Sequence, residues 1–290
     1  MSNGKILITG ASGGLGGLTL DYLLNMKNIK REQVVALARK KTPDLLSKGI
    51  EVRIGDYADR GSLDKAFNGI ERLLVIPSPV LDNVQRLQQQ FNVVMAAKKN
   101  NVGHIIYVGL ADAEKRLFAL EDVDIATEHM ILAMGMSYTF MRNPVYLDVL
   151  QYDLQVAMKT GRLLSATKNK PFDYVVKRDL ALANATVLSQ DGHKNKIYDL
   201  RNHELYTYAE IAEILSYISG KMIANEEKSA EEVIAHLVDA SIDKQAAEML
   251  VNSFQKPIAR NQFTDTSNDL KKLLGSSVSS KKDAIESLLK

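Results

Sequence analysis

The chain has no cysteine among its 290 residues. That absence excludes disulfides, thiol nucleophiles and thiolate metal sites, and it suits a reducing compartment. No apolar run approaches the ~18 residues that read as a membrane span, and no basic-then-apolar leader stands before the first strand-like segment. A cytoplasmic protein without a membrane partner is therefore expected. Charge of one sign is not in excess either: 37 basic and 35 acidic side chains leave a net +2, which gives no case for a nucleic-acid surface. The five histidines (His104, His129, His193, His203 and His236) include no i, i+4 pair and no carboxylates at ligand spacing, so no metal site is expected. No G-x-x-x-x-G-K-[ST] string occurs, which removes a P-loop. There is no internal repeat and no low-complexity segment.

What is present is an ordinary soluble composition, 46% apolar and 25% charged, long enough to bury a sizeable core. The most informative stretch is Lys5 to Leu24. Ile6-Leu7-Ile8 reads as a buried strand, and from Leu15 the apolar positions Leu15, Leu18, Leu20, Leu23 and Leu24 take helical spacing. Between them runs Gly10-Ala11-Ser12-Gly13-Gly14-Leu15-Gly16-Gly17. A strand that feeds a glycine turn opening directly into a helix aims unpaired backbone N–H groups and the positive end of the helix dipole at one point, where a phosphate belongs. In this reading Gly10 permits the sharp turn, Gly13 lets a diphosphate approach the backbone, and Gly16 lets the helix pack closely on the strand. Taken alone, the spacing also describes a turn that binds nothing. The same residues satisfy the G-x-S-x-G elbow of serine hydrolases, but that elbow follows several strands, and only nine residues precede Gly10.

Strand and helix signals then alternate. Strands are expected over 6–8, 34–38, 52–54, 73–76, 105–108 and 138–141, with helices over 15–26, 44–48, 62–67, 83–99 and 123–134. This is the signature of an α/β fold, a Rossmann-type doubly wound parallel sheet with ligands at the C-terminal ends of its strands. Beyond Tyr146 the rhythm loosens. A helix over 149–158, a strand over 172–176, a helix over 179–188, a strand over 197–200 and mainly helical segments thereafter predict a smaller, mostly helical C-terminal lobe. The expected division is an NAD(P)-binding domain over 1–150, rejoined by segments within 172–200, and a substrate-cleft lobe over 151–290.

The nucleotide is read from the end of the second strand, where an acid selects NAD and a base selects NADP. No acid occurs between Gln33 and Pro43, and Arg39-Lys40-Lys41 follow the strand directly. A guanidinium can clamp the 2′-phosphate in bidentate fashion, so NADPH is favoured over NADH. Asp56 and Tyr57 fall at the end of the third strand, within reach of the adenine.

Ile8-Thr9-Gly10-Ala11-Ser12-Gly13-Gly14-Leu15-Gly16, Ala38-Arg39, Gly55-Asp56-Tyr57-Ala58-Asp59, His104-Ile105-Ile106-Tyr107, Ala126-Thr127-Glu128 and Tyr138-Thr139-Phe140-Met141-Arg142-Asn143 together resemble the NmrA-like atypical short-chain dehydrogenase/reductases, in the branch of type-2 NAD(P)H quinone oxidoreductases. Later landmarks agree: Lys177-Arg178-Asp179-Leu180-Ala181, Lys196-Ile197-Tyr198-Asp199-Leu200 and Thr207 opening a helix. The resemblance implies that Thr9, Gly10, Ser12, Gly13, Gly14, Leu15, Arg39, Asp56, Tyr57, Pro77 and Ser78 line the cofactor. It also implies that Gly109, Leu110, Asn143, Pro144 and Tyr146 approach the nicotinamide and a small quinone-like acceptor, with a homodimer left open. Two departures stand out. Relatives often carry Thr-Ser where this chain has Val108-Gly109, and many have a histidine where it has Asp124.

Ordinary short-chain reductases use a Tyr with a Lys four residues on. That spacing occurs once, at Tyr217 and Lys221, at a helix end far from the cofactor strands and with Gly220 breaking the turn. No dedicated acid is identified, so the catalytic residue stays unassigned, with Tyr146 and Asn143 as orienting candidates. Hydride transfer to a quinone leaves a weakly basic oxygen that water can protonate, whereas a simple ketone would demand a donor. The expected function is thus an NAD(P)H-dependent oxidoreductase acting on a quinone or similarly activated acceptor. The alternative is a non-catalytic dinucleotide sensor that acts through a protein partner.

Overall fold

A computed structural model describes residues 4–290. Its contacts divide the chain into two units: the chain through Asn143 together with Arg178–Leu200, and Pro144–Lys177 together with Arg201–Lys290. Among the described residues the strands are β1 (Lys5–Ile8), β2 (Val34–Ala38), β3 (Glu51–Ile54), β4 (Ile70–Val75), β5 (His104–Leu110), β6 (Tyr138–Asn143), β7 (Arg162–Ser165), β8 (Lys196–Asp199) and β9 (Ala224–Glu227). The principal helices are α1 (Gly14–Leu24), α2 (Pro43–Ser47), α3 (Arg60–Ala66), α4 (Asn83–Lys99), α5 (Glu121–Ala133), α6 (Gln151–Thr160), α7 (Lys177–Ser189), α8 (Tyr208–Ser219), α9 (Ala230–Asp239) and α10 (Lys244–Leu250).

In the first unit seven strands form one sheet in the order β3-β2-β1-β4-β5-β6-β8, every neighbour pair parallel. Parallel strands covered on both faces read as near-continuous apolar runs, and the central ones do beyond the polar residues Lys5, Glu71, Arg72 and His104 in their first halves. All five residues of β2 are buried, and Leu7, Val35, Leu73, Ile105, Tyr107 and Phe140 share one core with Leu63 and Val93 from the covering helices. The chain leaves β1 toward β2 and β3 on one side and returns to β4 on the other. The strand order therefore reverses between β1 and β4, which is where such sheets bind ligands.

At the opposite end of the sheet His104 opens β5, buried, with Nε2 2.8 Å from Thr139 Oγ1. The Thr139 hydroxyl donates to the His193 carbonyl at 2.6 Å, so its oxygen accepts from His104 and places the ring proton on Nε2. Desolvation, with Arg72 and Lys194 adding, pushes the His104 ring down to about 4. An unfolded histidine titrates near ~6.5. Between those values the unfolded chain binds the proton that the native ring refuses. This contribution to stability is therefore complete above pH ~6.5 and drains away as pH falls toward 4. Urea unfolding at pH 7 and pH 4.5 is expected to show a loss of about 2 kcal/mol from this ring. His104→Gln, which keeps a donor toward Thr139, should flatten that slope, and an unaltered slope would remove His104 as its source.

The second unit pairs β7 with β9 in a short parallel ribbon and packs α9 and α10 on it through Val156, Leu164, Val233, Leu237, Leu250 and Val251. Two of its helices open on reciprocal capping boxes, Thr207 with Glu210 and Ser229 with Glu232. A five-residue π-turn, Val251–Gln255, carries Gln255 inward, where its Nε2 donates to Asp153 Oδ2 at 3.1 Å beside the Tyr208 hydroxyl at 2.7 Å. Burial pushes the Asp153 carboxyl up to about 7.

The expected strand over 172–176 is not a strand. Phe172 and Val175 make only isolated bridges, to Tyr206 and Tyr146. Phe172, Asp173, Tyr174, Val175 and Val176 are all buried, and Phe172 stacks among Tyr174, Tyr206 and Tyr208. An apolar run shut in by aromatic packing looks in sequence like a core strand, although no ladder forms.

Candidate functional site

The glycine turn sits at the C-terminal end of β1, at the reversal of strand order. Thr9 is fully buried and stitches β1 to β4: its N–H donates to the Leu74 carbonyl at 3.0 Å, and its Oγ1 accepts from the Ile76 N–H at 2.8 Å. Gly10 follows at φ +60°, a conformation that favours glycine, and its carbonyl accepts the Gly13 N–H at 2.9 Å. The helix α1 then begins at Gly14 with Gly13 at its cap and no side-chain cap at all. Ser12, Gly13 and Gly14 are exposed while Leu15 is buried beneath them. The result is a helix start whose cap residue, Gly13, makes no side-chain bond to the first amides and whose surface is glycine, a fit for a diphosphate. Gly16 serves a purpose different from the one expected. A Cβ there would lie 2.2 Å from the Gly10 carbonyl oxygen, so the close approach is of α1 to its own turn rather than to the strand.

Arg39 is exposed immediately after β2, with Lys40 and Lys41 exposed beside it. The backbone under it is fixed, because the carbonyl of Ala38 accepts the Gly55 N–H at 3.1 Å and holds the ends of β2 and β3 together. Asp56 folds into its own turn, Oδ1 accepting the Ala58 N–H at 2.8 Å. The hydroxyl of Tyr57 donates to the Ile76 carbonyl at 2.9 Å, which makes that side chain a tie between the ends of β3 and β4. Ser78 is buried, and its hydroxyl accepts the Val80 N–H at 3.3 Å. Pro77, half-buried, follows Ile76. Thr9 through Leu15, Tyr57 and Pro77 thus gather around the ends of β1, β3 and β4, with Arg39 at the end of β2.

At the end of β5 Gly109 is buried and Leu110 half-buried. A Cβ on Gly109 would meet the Tyr107 ring at 3.3 Å and Glu128 Oε1 at 3.5 Å. Asn143 closes β6, its carbonyl accepting the Ala111 N–H at 2.8 Å. The two departures from the family pattern acquire physical content here. Asp124 is turned into the core, where Oδ1 accepts the Tyr107 hydroxyl at 2.6 Å and faces Arg86 at 3.2 Å, and burial raises its carboxyl above the usual range. Thr127 bonds back to the Val123 carbonyl at 2.7 Å, and Glu128 takes Arg142 in two bonds of 3.1 and 2.7 Å. The Thr-Glu landmark therefore ties α5 to itself and to β6.

In the second unit Pro144 is buried and Tyr146 half-buried. Tyr146 stands before a 3₁₀ turn, Leu147–Leu150, and bridges to Val175. Sequence reasoning missed what lies against it, the Lys177 ammonium at 5.5 Å from the ring centroid. Tyr217 is 73% exposed and meets Lys282 at 4.2 Å, so the chance Tyr-Lys spacing at Tyr217 and Lys221 makes no buried pair.

Comparison with known proteins places this geometry. Residues 2–285 match the NmrA-like family. Quinone oxidoreductase 2 of Escherichia coli K12 is 33% identical over 272 residues, 93% of each chain. The crystal structure of Citrobacter sp. triphenylmethane reductase complexed with NADP(H) superposes with a TM-score of 0.89 at 36% identity, covering 98% of this chain and 99% of that one. The NADPH complex of the E. coli NADPH-dependent quinone oxidoreductase superposes at 0.84 with 31% identity, covering 98% and 100%.

Proposed function

This chain belongs to the NmrA-like family, and on that footing we propose that it carries hydride from NADPH to a quinone or a similarly activated small acceptor. It is an NAD(P)H-dependent oxidoreductase. The observation that carries the reading is the glycine-surfaced start of α1, whose cap residue makes no side-chain bond, with an exposed arginine directly after β2, in a chain that matches NADP(H)-complexed reductases along 98% of its length.

Under this proposal the bound cofactor supplies the hydride, and the protein's own part is to hold and aim. Gly10, Ser12, Gly13, Gly14 and Leu15 offer backbone to the diphosphate. Thr9, Pro77 and Ser78 shape the ends of β1 and β4, Arg39 takes the 2′-phosphate, and Asp56 and the Tyr57 ring flank the adenine. Gly109, Leu110, Asn143, Pro144 and Tyr146 are assigned to the acceptor side. The buried Tyr107–Asp124 pair faces inward and no i, i+4 Tyr-Lys pair stands on α5, which favours an acceptor whose reduced form is a weak base.

Steady-state NADPH oxidation against a panel of benzoquinones and naphthoquinones tests the reading. Saturable turnover at about 1 s⁻¹ or faster is expected. Binding of NADP⁺ and NADPH with equal affinity and no turnover of any quinone would sink it in favour of a dinucleotide sensor.

A further inference from the structure

Tyr146 and Lys177 are brought together by backbone as well as by side chains. The Val175 N–H donates to the Val145 carbonyl at 3.0 Å and the Leu147 N–H donates to the Val175 carbonyl at 2.9 Å, so the segment entering α7 runs beside the segment that carries Tyr146. Two residues after Val175, the Lys177 Nζ lies 5.5 Å from the centre of the Tyr146 ring. Asp148 fixes the lysine at both ends: Oδ1 accepts from Nζ at 2.7 Å and Oδ2 accepts from the Lys177 backbone N–H at 3.3 Å. Tyr146, Asp148 and Lys177 are all half-buried, and these contacts bring Lys177 from α7, paired with Asp148 from the tyrosine's own turn, against the ring. A salt bridge needed only to tie two loops would not have to set its cation over an aromatic face. An ammonium within ~6 Å of a ring is drawn to its π-electrons, and it is drawn far more strongly to the phenolate left when that ring gives up its proton.

We propose that Tyr146 is the proton donor of the reaction and that Lys177, held by Asp148, is the positioning residue that makes it one. This inference rests on the quinone reading above. The acceptor gains two electrons and one hydrogen as hydride, one of its carbonyl oxygens forms a bond to the Tyr146 proton as the phenol O–H breaks, and the phenolate regains a proton from water. The product is the hydroquinone and the balance closes with NADPH as reductant. Because water already protonates a weakly basic quinol oxygen, the contribution of Tyr146 grows with the basicity of the product.

The test is a pair of readouts on Lys177→Met, Lys177→Arg and Tyr146→Phe in the full chain. In the first, tyrosines labelled at the ring Cζ are titrated by NMR, with Tyr146→Phe assigning the resonance. The Tyr146 midpoint is expected to move up by about one pH unit in Lys177→Met and to return close to wild type in Lys177→Arg. In the second, Lys177→Met is expected to lose about tenfold in kcat, with KM nearly unchanged, on quinones that give basic hydroquinones, and to lose much less on electron-poor ones. A loop clamp alone would alter the urea midpoint or KM without moving the titration. An unmoved titration with normal quinone turnover overturns this inference and leaves the quinone reading standing. A moved titration with no quinone turned over by the wild type overturns the acceptor and leaves the Tyr146–Lys177 coupling in place.

Discussion

Gly16→Ala is expected to destabilise the protein by about 3 kcal/mol or more and to abolish measurable NADPH binding, while Gly17→Ala one residue on is expected to be harmless. The added methyl at position 16 would stand 2.2 Å from the Gly10 carbonyl oxygen, 2.6 Å from its carbon and 3.1 Å from the Ala11 nitrogen. Every one of those atoms is backbone, so no side chain can rotate out of the way. Relief requires the first turn of α1 to lift off the turn that precedes it, which disturbs the Gly13 N–H to Gly10 carbonyl bond of 2.9 Å and the positive-φ conformation of Gly10 together. Overpacking against adaptable neighbours costs roughly 1–3 kcal/mol. A rigid obstacle belongs at or beyond the top of that range, and the ~1 kcal/mol by which alanine outranks glycine inside a helix does not offset it. At Gly17 the same methyl finds only the Ala11 carbonyl oxygen at an ordinary 3.5 Å, so the propensity gain stands unopposed. Urea midpoints and calorimetric NADPH titrations of the two variants check the contrast. A wild-type midpoint for Gly16→Ala would mean that α1 and its turn are not held as described.

How much of this was legible in the sequence follows from how local each determinant is. The β1–α1 crossover could be read because everything that makes it lies within Lys5 to Leu24: a buried apolar triplet, a glycine that accepts φ +60°, and a switch to helical spacing. The place of Arg39 could be read because it depends only on following a strand. The parallel sheet and its flanking helices emerge from the same alternation, and the capping boxes at Thr207 and Ser229 announce their helices within four residues. Determinants distant along the chain did not show. Asp148 and Lys177 are 29 residues apart and meet because Val175 exchanges single backbone bonds with Val145 and Leu147. Arg86 and Asp124 are 38 apart, and nothing near either marks it as the other's partner. The strand β9, Ala-Asn-Glu-Glu, has no β-forming composition. It is extended because β7 offers it a ladder and Glu226 pairs across to Arg162 at 2.7 Å. The segment 172–176 fails in the opposite sense, with strand composition and aromatic packing in place of a ladder.

Arg39→Asp is expected to weaken NADPH by about 100-fold or more and to leave NADH unchanged or slightly tighter. The side chain is exposed, yet the backbone that carries it is anchored by the Ala38–Gly55 bond of 3.1 Å, so the guanidinium swings from a fixed base at the end of β2. Hydrogen bonds to a charged partner contribute about 1.5–3 kcal/mol, and about 2.7 kcal/mol is a hundredfold in affinity. An aspartate adds repulsion of the 2′-phosphate to the loss of those bonds, while offering acceptors to the ribose hydroxyls of NADH. Arg39→Ala removes the attraction only and is expected to cost roughly tenfold. Salt supplies a second criterion. With a phosphate held at an exposed cation, NADPH affinity of the wild type should fall as ionic strength rises, and in Arg39→Asp that dependence should vanish or reverse. Fluorescence titrations of both nucleotides at two salt concentrations separate the outcomes. If NADPH and NADH weaken alike in Arg39→Asp, the assignment of the 2′-phosphate to Arg39 is wrong.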